Sequence, residues 1–296
     1  MNRVGLKHIA LNRFPLKHIC DSLSLMQILL RGDPNYRRSL SPKQKLNCMK
    51  FYFTANGIDR LYATLPRSGF HYTMLAVEIA LDLANGGDGE YYFEREFWWP
   101  KTGVRYNKLD WRTPINDPTK LGLYPVDTIL YHTHQPFYRL RCARINKMKI
   151  IVQVRNIIEQ LNSWSYRAPF SGVEPGQFPW RRHLADSIRF QNSWGDYIRH
   201  HDNVHTVKYE EVLASPAKNI ETMMEFWGLD VPARCIEKAI EMTTKEEMKK
   251  RLSKDSIYNK IISFGEYRTN ISCNITRNVI KIINKELLYD FGYTYN

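Results

Sequence analysis

LPRSGFHYT, Leu65 to Thr73, follows a strand-like run, IDRLYAT (Ile58–Thr64), and leads into an apolar helical run, MLAVEIALDL (Met74–Leu83). A strand that turns through a glycine into a helix aims several backbone N–H groups, and the positive end of the helix dipole, at one point. That geometry suits phosphate or sulfate. Arg67, Ser68, His71 and Thr73 add side-chain donors to the same turn. The loop lacks the GxxxxGK(S/T) nucleotide signature, which disfavours an ordinary ATPase or GTPase. A strand, a turn with Ser-Gly and a helix also arise in plain α/β packing, so the turn alone decides nothing about function.

A second segment, IIVQVRNIIEQLNSW (Ile150–Trp164), reads as the buried strand KIIVQV ending in Arg155 and Asn156 and passing into a helix. In open α/β sheets ligands sit at the carboxyl ends of strands, where Arg155 falls. Ser163 follows Arg155 by eight residues, about two turns into a helix that starts near Ile157. A planar guanidinium fork and a hydroxyl facing one point make a second anion clamp. An Arg capping a strand end through a surface ion pair is the simpler alternative for Arg155 taken singly.

Candidate strands are Ile58–Thr64, Thr128–His132, Lys149–Arg155 and Val204–Lys208, and candidate helices are Phe70–Leu83, Ile157–Tyr166, Leu184–His200, Ala217–Trp227 and Pro232–Thr243. Their alternation predicts one α/β domain, a parallel sheet with helices on both faces. Glu90–Pro125 and Arg167–Arg182 read as long irregular stretches, and long loops in a compact domain tend to bind or cover ligands.

Taken together the motifs resemble the PAPS-dependent sulfotransferases. PRSGxHY is similar to their loop for the 5′-phosphosulfate, and VRN with its downstream Ser to their 3′-phosphate site. HTHQP (His132–Pro136) resembles the KTHLP-type segment that carries the catalytic base, VKYEEVLASPAKNIETMMEFWGLD (Val207–Asp230) the YEDL…P…FLGL stretch, and TTKEEMK (Thr243–Lys249) the TSFxxMK motif. The resemblance implies a P-loop-NTPase-like fold, PAPS as cofactor, no metal, and His134 as general base with Arg67 as a catalytic clamp. It implies Arg67, Ser68, Gly69, Phe70 and His71 around the 5′ end. At the 3′-phosphate and adenosine it implies Arg155, Ser163, Tyr72, Tyr209, Thr243 and Lys260, with Arg251 competing with Lys260. His132 stands where the family usually carries Lys, Phe70 and His71 replace two Thr, and Lys245 occupies a Phe position.

At 296 residues and 43% hydrophobic content one large domain suffices. No apolar run approaches the length of a membrane span, the longest being broken by Glu78 and Asp82. The net charge of +13 calls for an anionic partner without choosing one. Five cysteines, odd in number and without a CxxC pair, argue against a disulfide framework and for a cytoplasmic location. The two histidines of HTH lack a companion carboxylate or cysteine at ligand spacing, which disfavours zinc.

Residues 1–50 form a basic N-terminal extension and linker, with LKHI at Leu6–Ile9 and again at Leu16–Ile19, ahead of a sulfotransferase domain over 51–296. The extension either docks on the domain as a helix or makes peripheral contact with a membrane surface. A phosphate-binding, kinase-like enzyme shares the architecture but wants a Lys-Ser/Thr ending for magnesium. A basic nucleic-acid-binding protein accounts for charge and aromatics but not for the motif order. For the acceptor, a hydroxyl on a carbohydrate or glycolipid, polyanionic or not, is expected, because the two irregular stretches mix aromatics with cations. These are Trp98, Trp99, Lys101, Arg105, Lys108, Trp111 and Arg112 in one, and Tyr166, Arg167, Trp180, Arg181 and Arg182 in the other.

Overall fold

The computed structural model describes residues 60–94, 97–100, 107–108, 131–134, 136, 147–167, 177–251 and 271–296. The basic extension over residues 1–50, Lys260, the acceptor-loop residues Lys101, Arg105, Trp111 and Arg112, and the first residues of two expected strands, 58–59 and 128–130, lie outside them.

Strands β1 (Arg60–Thr64), β4 (Asn107–Lys108), β5 (Tyr131–Thr133), β6 (Lys149–Val154) and β7 (Val204–Lys208) form a parallel sheet in the order β4-β5-β1-β6-β7. In register, Tyr62 lies beside His132 on one side and Ile151 on the other. Near-continuous apolar burial of β1 and β6 suits strands covered on both faces. On one face Tyr62, Ile151 and Val207 pack with helices α1 (Phe70–Ala84), α5 (Pro216–Trp227) and α6 (Ala233–Met242). Side chains alternate along a strand, so Leu61, Ala63, Ile150 and Val152 face the opposite side. The second core joins α2 (Ile157–Arg167), α3 (Trp180–His200) and α8 (Cys273–Glu286) through Leu161, Leu184, Ile188, Val279 and Ile283.

Helix α1 is buried almost all round, as a helix held between a sheet and further helices must be. Each of its buried Leu, Ile and Met side chains contributes roughly 1.5–3 kcal/mol. Its burial extends to two carboxylates. Asp82 accepts the Gly89 amide at 2.8 Å, whereas neither oxygen of Glu78, 1% exposed, has a hydrogen-bond partner. Burial pushes the Glu78 carboxyl well above its ordinary range.

Several elements depart from the sequence reading. The Glu90–Pro125 stretch, read as irregular, contains the antiparallel pair β2 (Tyr91–Glu94) and β3 (Phe97–Pro100), which places Trp98 and Trp99 on a strand, and the edge strand β4, which carries Lys108. Helix α3 begins at Trp180 rather than Leu184, because the carbonyl of Pro179 accepts the Arg182 and His183 amides and opens the helix directly after the proline. Trp180, Arg181 and Arg182 are therefore helical. The last expected residue of β6, Arg155, has left the ladder. Helices α4 (Tyr209–Ala214), α7 (Lys245–Arg251) and α8 were not anticipated.

After β1 the chain proceeds toward β4 on one side, and after β6 toward β7 on the other. The connections that leave these adjacent strands diverge, which opens a crevice at their carboxyl ends. Both anion motifs lie there.

Candidate active site

Residues 65–69 are held by side chains from β6, α2 and the turn between them that grip three successive carbonyls. Gln160 Nε2 donates to Pro66 O at 2.8 Å, Arg155 Nη1 to Arg67 O at 2.8 Å, and Gln153 Nε2 to Ser68 O. A trans peptide sets its N–H opposite its C=O. Tying these carbonyls toward β6 and α2 therefore turns the amides of Arg67 and Gly69 to the other side of the loop, in line with the N-terminal turn of α1. Arg67 (φ 71°) and Gly69 (φ 88°) are both left-handed, the backbone of an anion-binding concavity. At Arg67 this conformation is uncommon for a residue with a side chain. At Gly69 it goes with close packing, since a Cβ there would overlap the ring of Tyr209.

Gln153 is the hub. It is wholly buried, and its Oε1 accepts Thr73 Oγ1 at 3.0 Å and the hydroxyl of Tyr62 while its Nε2 serves the loop. Burial pushes the Tyr62 phenol far up, so it remains a donor. Gln160 is held in turn by Ser187 Oγ at 2.8 Å and also donates to Ser68 Oγ at 3.2 Å. Neither glutamine was foreseen. The available signal was a polar residue inside the apolar strand KIIVQV.

The two expected clamps interlock instead of standing apart. Arg67 Nε donates to Ser163 Oγ at 3.1 Å, so the hydroxyl assigned to the second clamp meets the arginine of the first. Arg155 lies with its guanidinium carbon 4.7 Å from the centroid of the Tyr209 ring. Its Nε is buried without a partner, and among the described residues no ion pair with a carboxylate holds it. A half-buried cation with an unmet Nε donor fits a phosphate or sulfate. Tyr72 is half-buried near Tyr209, and its phenol is raised by burial and then by that neighbour.

Asn156 caps α2, its Oδ1 accepting the amides of Ile158 at 2.9 Å and Glu159 at 3.3 Å. Behind the turn, Arg155 O accepts Gln191 Nε2, the Asn156 amide donates to Glu210 Oε1, and the Ile157 amide donates to the Tyr295 hydroxyl.

His134 follows β5 and reaches the end of β1, with Nδ1 2.6 Å from Thr64 O. A carbonyl only accepts, so Nδ1 carries the proton and the neutral ring holds its lone pair on Nε2. Phe70 packs against both histidines of the segment, its centroid 4.5 Å from that of His132 and 5.6 Å from that of His134. His71 lies edge-on to Phe70 at 5.3 Å.

Thr243 is 1% exposed, and its hydroxyl donates back to Ala239 O and Ile240 O of α6. Only its oxygen lone pairs are left to offer a base. Arg181 stacks on the Trp180 ring at 5.2 Å, and His183 lies between the rings of Trp164 and Phe178, at 4.4 and 5.3 Å. Burial lowers the His183 imidazole, Asp186 raises it and Arg182 lowers it.

No helix among the described residues is long and apolar enough to cross a membrane. Residues 59–272 match the family model described as the sulfotransferase domain. Sulfotransferase 1C2 of Rattus norvegicus is 24% identical over 211 residues, covering 67% of this chain and 68% of the rat protein. The fold is similar to that of mouse sulfotransferase SULT7A1 complexed with PAP, with a TM-score of 0.56 and 17% identity over 85% of this chain and 92% of the mouse one. It is also similar to retinol dehydratase in complex with retinol and PAP, with a TM-score of 0.54 and 17% identity over 87% and 98% of the two chains. The chain belongs to the sulfotransferase domain family.

Proposed function

We propose that this sulfotransferase moves the sulfuryl group of PAPS to an acceptor hydroxyl, with His134 as general base. The observation that carries the reading is the loop over 65–69, which contains Arg67, is tied back at three carbonyls and is flanked by Arg155 and His134. When bound, PAPS supplies an activated sulfuryl group on a phosphate leaving group. Arg67, Ser68 and the amides leading from Gly69 through Phe70, His71 and Tyr72 hold the 5′ end and the charge that develops there. Arg155 and Ser163 hold the 3′-phosphate, with Lys260 or Arg251 as a further partner. Tyr72, Tyr209 and Thr243 surround the adenosine. His134 takes up the acceptor's proton at Nε2, and Thr64 O, on Nδ1, steadies the imidazolium that results.

His134→Ala then loses at least about a hundredfold in turnover with PAP affinity little changed. Normal turnover in that variant would move the role elsewhere.

For the acceptor we favour a carbohydrate or glycolipid hydroxyl, on the strength of the aromatic and cationic residues on either side of the crevice in sequence. A second reading, an apolar alcohol, is favoured by the Phe70 ring packed against both histidines and by retinol in the complex of the retinol dehydratase. A labelled-PAPS screen over glycans, glycolipids, sterols and phenols at two salt concentrations separates them. A polyanionic acceptor shows a KM that rises with salt, because screening weakens attraction between exposed charges. A domain over 51–296 and a cytoplasmic setting complete the proposal, the latter in keeping with the free Cys235 and Cys273.

A further inference from the structure

We infer that Glu210, Tyr293 and Tyr295 are positioning residues for the turn that carries Arg155, so that the segment Asp290–Asn296 tunes affinity for the 3′-phosphate without touching it. This rests on the proposed role of Arg155.

Three consecutive residues of that turn each have a backbone group held by a side chain from elsewhere in the fold. Gln191 on α3 donates to Arg155 O at 3.1 Å, Glu210 Oε1 accepts the Asn156 amide at 3.2 Å, and the Tyr295 hydroxyl accepts the Ile157 amide at 3.3 Å. The carboxylate that does the second job is fixed by Tyr293, whose hydroxyl donates to Glu210 Oε2 at 2.5 Å. Glu210 follows Tyr209 on α4, so neighbouring residues serve both parts of one arginine. The Tyr209 ring packs on the guanidinium while Glu210 fixes the backbone that follows it.

The segment is itself built for this placement. Asp290 O accepts the Tyr293 amide at 3.0 Å, and Asp290 Oδ1 accepts the Gly292 amide at 2.8 Å. Between them Phe291 (φ 54°) and Gly292 (φ 78°) are both left-handed, the two central positions of a type I′ turn. A phenylalanine is strained there, and such strain persists only where surrounding contacts over-determine the conformation. The contacts beyond the turn do so. The Tyr293 ring lies 5.3 Å from Lys208 Nζ, and the Tyr295 ring is buried in the core shared by α2, α3 and α8. Burial and the Glu210 carboxylate raise the Tyr293 phenol, which keeps its proton in the hydrogen bond.

Calorimetry on the full chain tests this with two probes, PAP and AMP, which differ by the 3′-phosphate. Tyr293→Phe keeps the ring and removes only the hydroxyl, and Glu210→Ala removes the carboxylate. Both are expected to weaken PAP about three- to tenfold, the net worth of one ordinary hydrogen bond, and to leave AMP within about twofold. Glu210→Gln retains an acceptor for the Asn156 amide and a donor for Tyr293, and is expected to stay near the parent for both probes. Equal losses for PAP and AMP would reduce the three residues to general stability and overturn the inference, as would unchanged PAP affinity in both Tyr293→Phe and Glu210→Ala. A parent chain that binds AMP as tightly as PAP would instead remove the 3′-phosphate reading of Arg155, and this inference with it.

Discussion

Replacing Gln153 by leucine should be the most damaging single change near the phosphate loop that leaves every proposed ligand-binding residue in place. The amide joins Tyr62, Thr73 and the Ser68 carbonyl, and it is wholly buried. Leucine has nearly the same volume, so the loss is in polar satisfaction rather than packing. Thr73 can turn its hydroxyl back to Gly69 O one helical turn earlier. Tyr62 and Ser68 O lose the partner that satisfies them, and each orphaned group costs about 1–3 kcal/mol. A net destabilisation of about 3–4 kcal/mol follows, or a Tm lowered by roughly 6–15 °C at the per-kcal scaling of large domains. Urea unfolding with an unchanged m-value, supported by calorimetric melting, measures it. With the Ser68 carbonyl untied, PAP affinity of the folded fraction should fall about tenfold. A loss of stability below about 1 kcal/mol, with normal PAP affinity, would refute the assignment of Gln153 as the hub of the loop.

Arg155→Ala should weaken PAP about ten- to a hundredfold, because it removes both a charged ligand and the tether on Arg67 O, and calorimetry would read it; unchanged affinity would remove it from the 3′-phosphate site. Glu78→Gln tests the unpartnered carboxyl. Its folded value lies above the ordinary 4.5, so the native state binds the extra proton and the wild type loses stability as pH rises from about that value toward the folded one. The stability gap should therefore move in favour of the variant with rising pH, by at most about 1.4 kcal/mol per unit, in urea titrations at several pH values; a pH-independent gap would contradict it. Charge held by arginines needs no divalent ion, so EDTA should leave turnover unchanged; inactivation reversed by Mg²⁺ would count against the mechanism.

Much of this arrangement is legible in the chain. The loop over 65–69 and the strand before Arg155 each carry a local signature, a glycine at the helix start and an apolar run with a cation at its end. Strand β7 has the expected bounds, and α1 and α2 each run only one residue past theirs. Apart from helix α8, what escaped has no local signature. The β2–β3 pair is joined by Arg95-Glu96, without the glycine or asparagine that marks a hairpin. Helix α8 does carry apolar residues at helical spacing, Ile275, Val279, Ile282 and Ile283, and a capping Ser272 that accepts the Ile275 amide. It was legible to periodicity though no motif marks it. Gln153, Gln160, Glu210 and Tyr293 acquire their roles only from partners between 27 and 94 residues away in the chain, so no short window of sequence displays them. The interlocking of Arg67 with Ser163 is of the same kind, since it depends on how β1 and α2 are placed side by side.

The central position of β1 also has a cost during synthesis. Its neighbours are β5 and β6, and Arg60 meets Lys149 only after about ninety further residues have been added, which takes roughly 5–20 s at ordinary translation rates. Until β5 is made the largely apolar strand over Leu61–Thr64 has both edges without their native partners, one edge stays open until β6 is made, and non-local parallel pairing is slow to close even once the partners exist. The crevice that holds the anion motifs is thus the last part of the sheet's centre to form, and the newborn chain is most exposed to aggregation before β6 arrives.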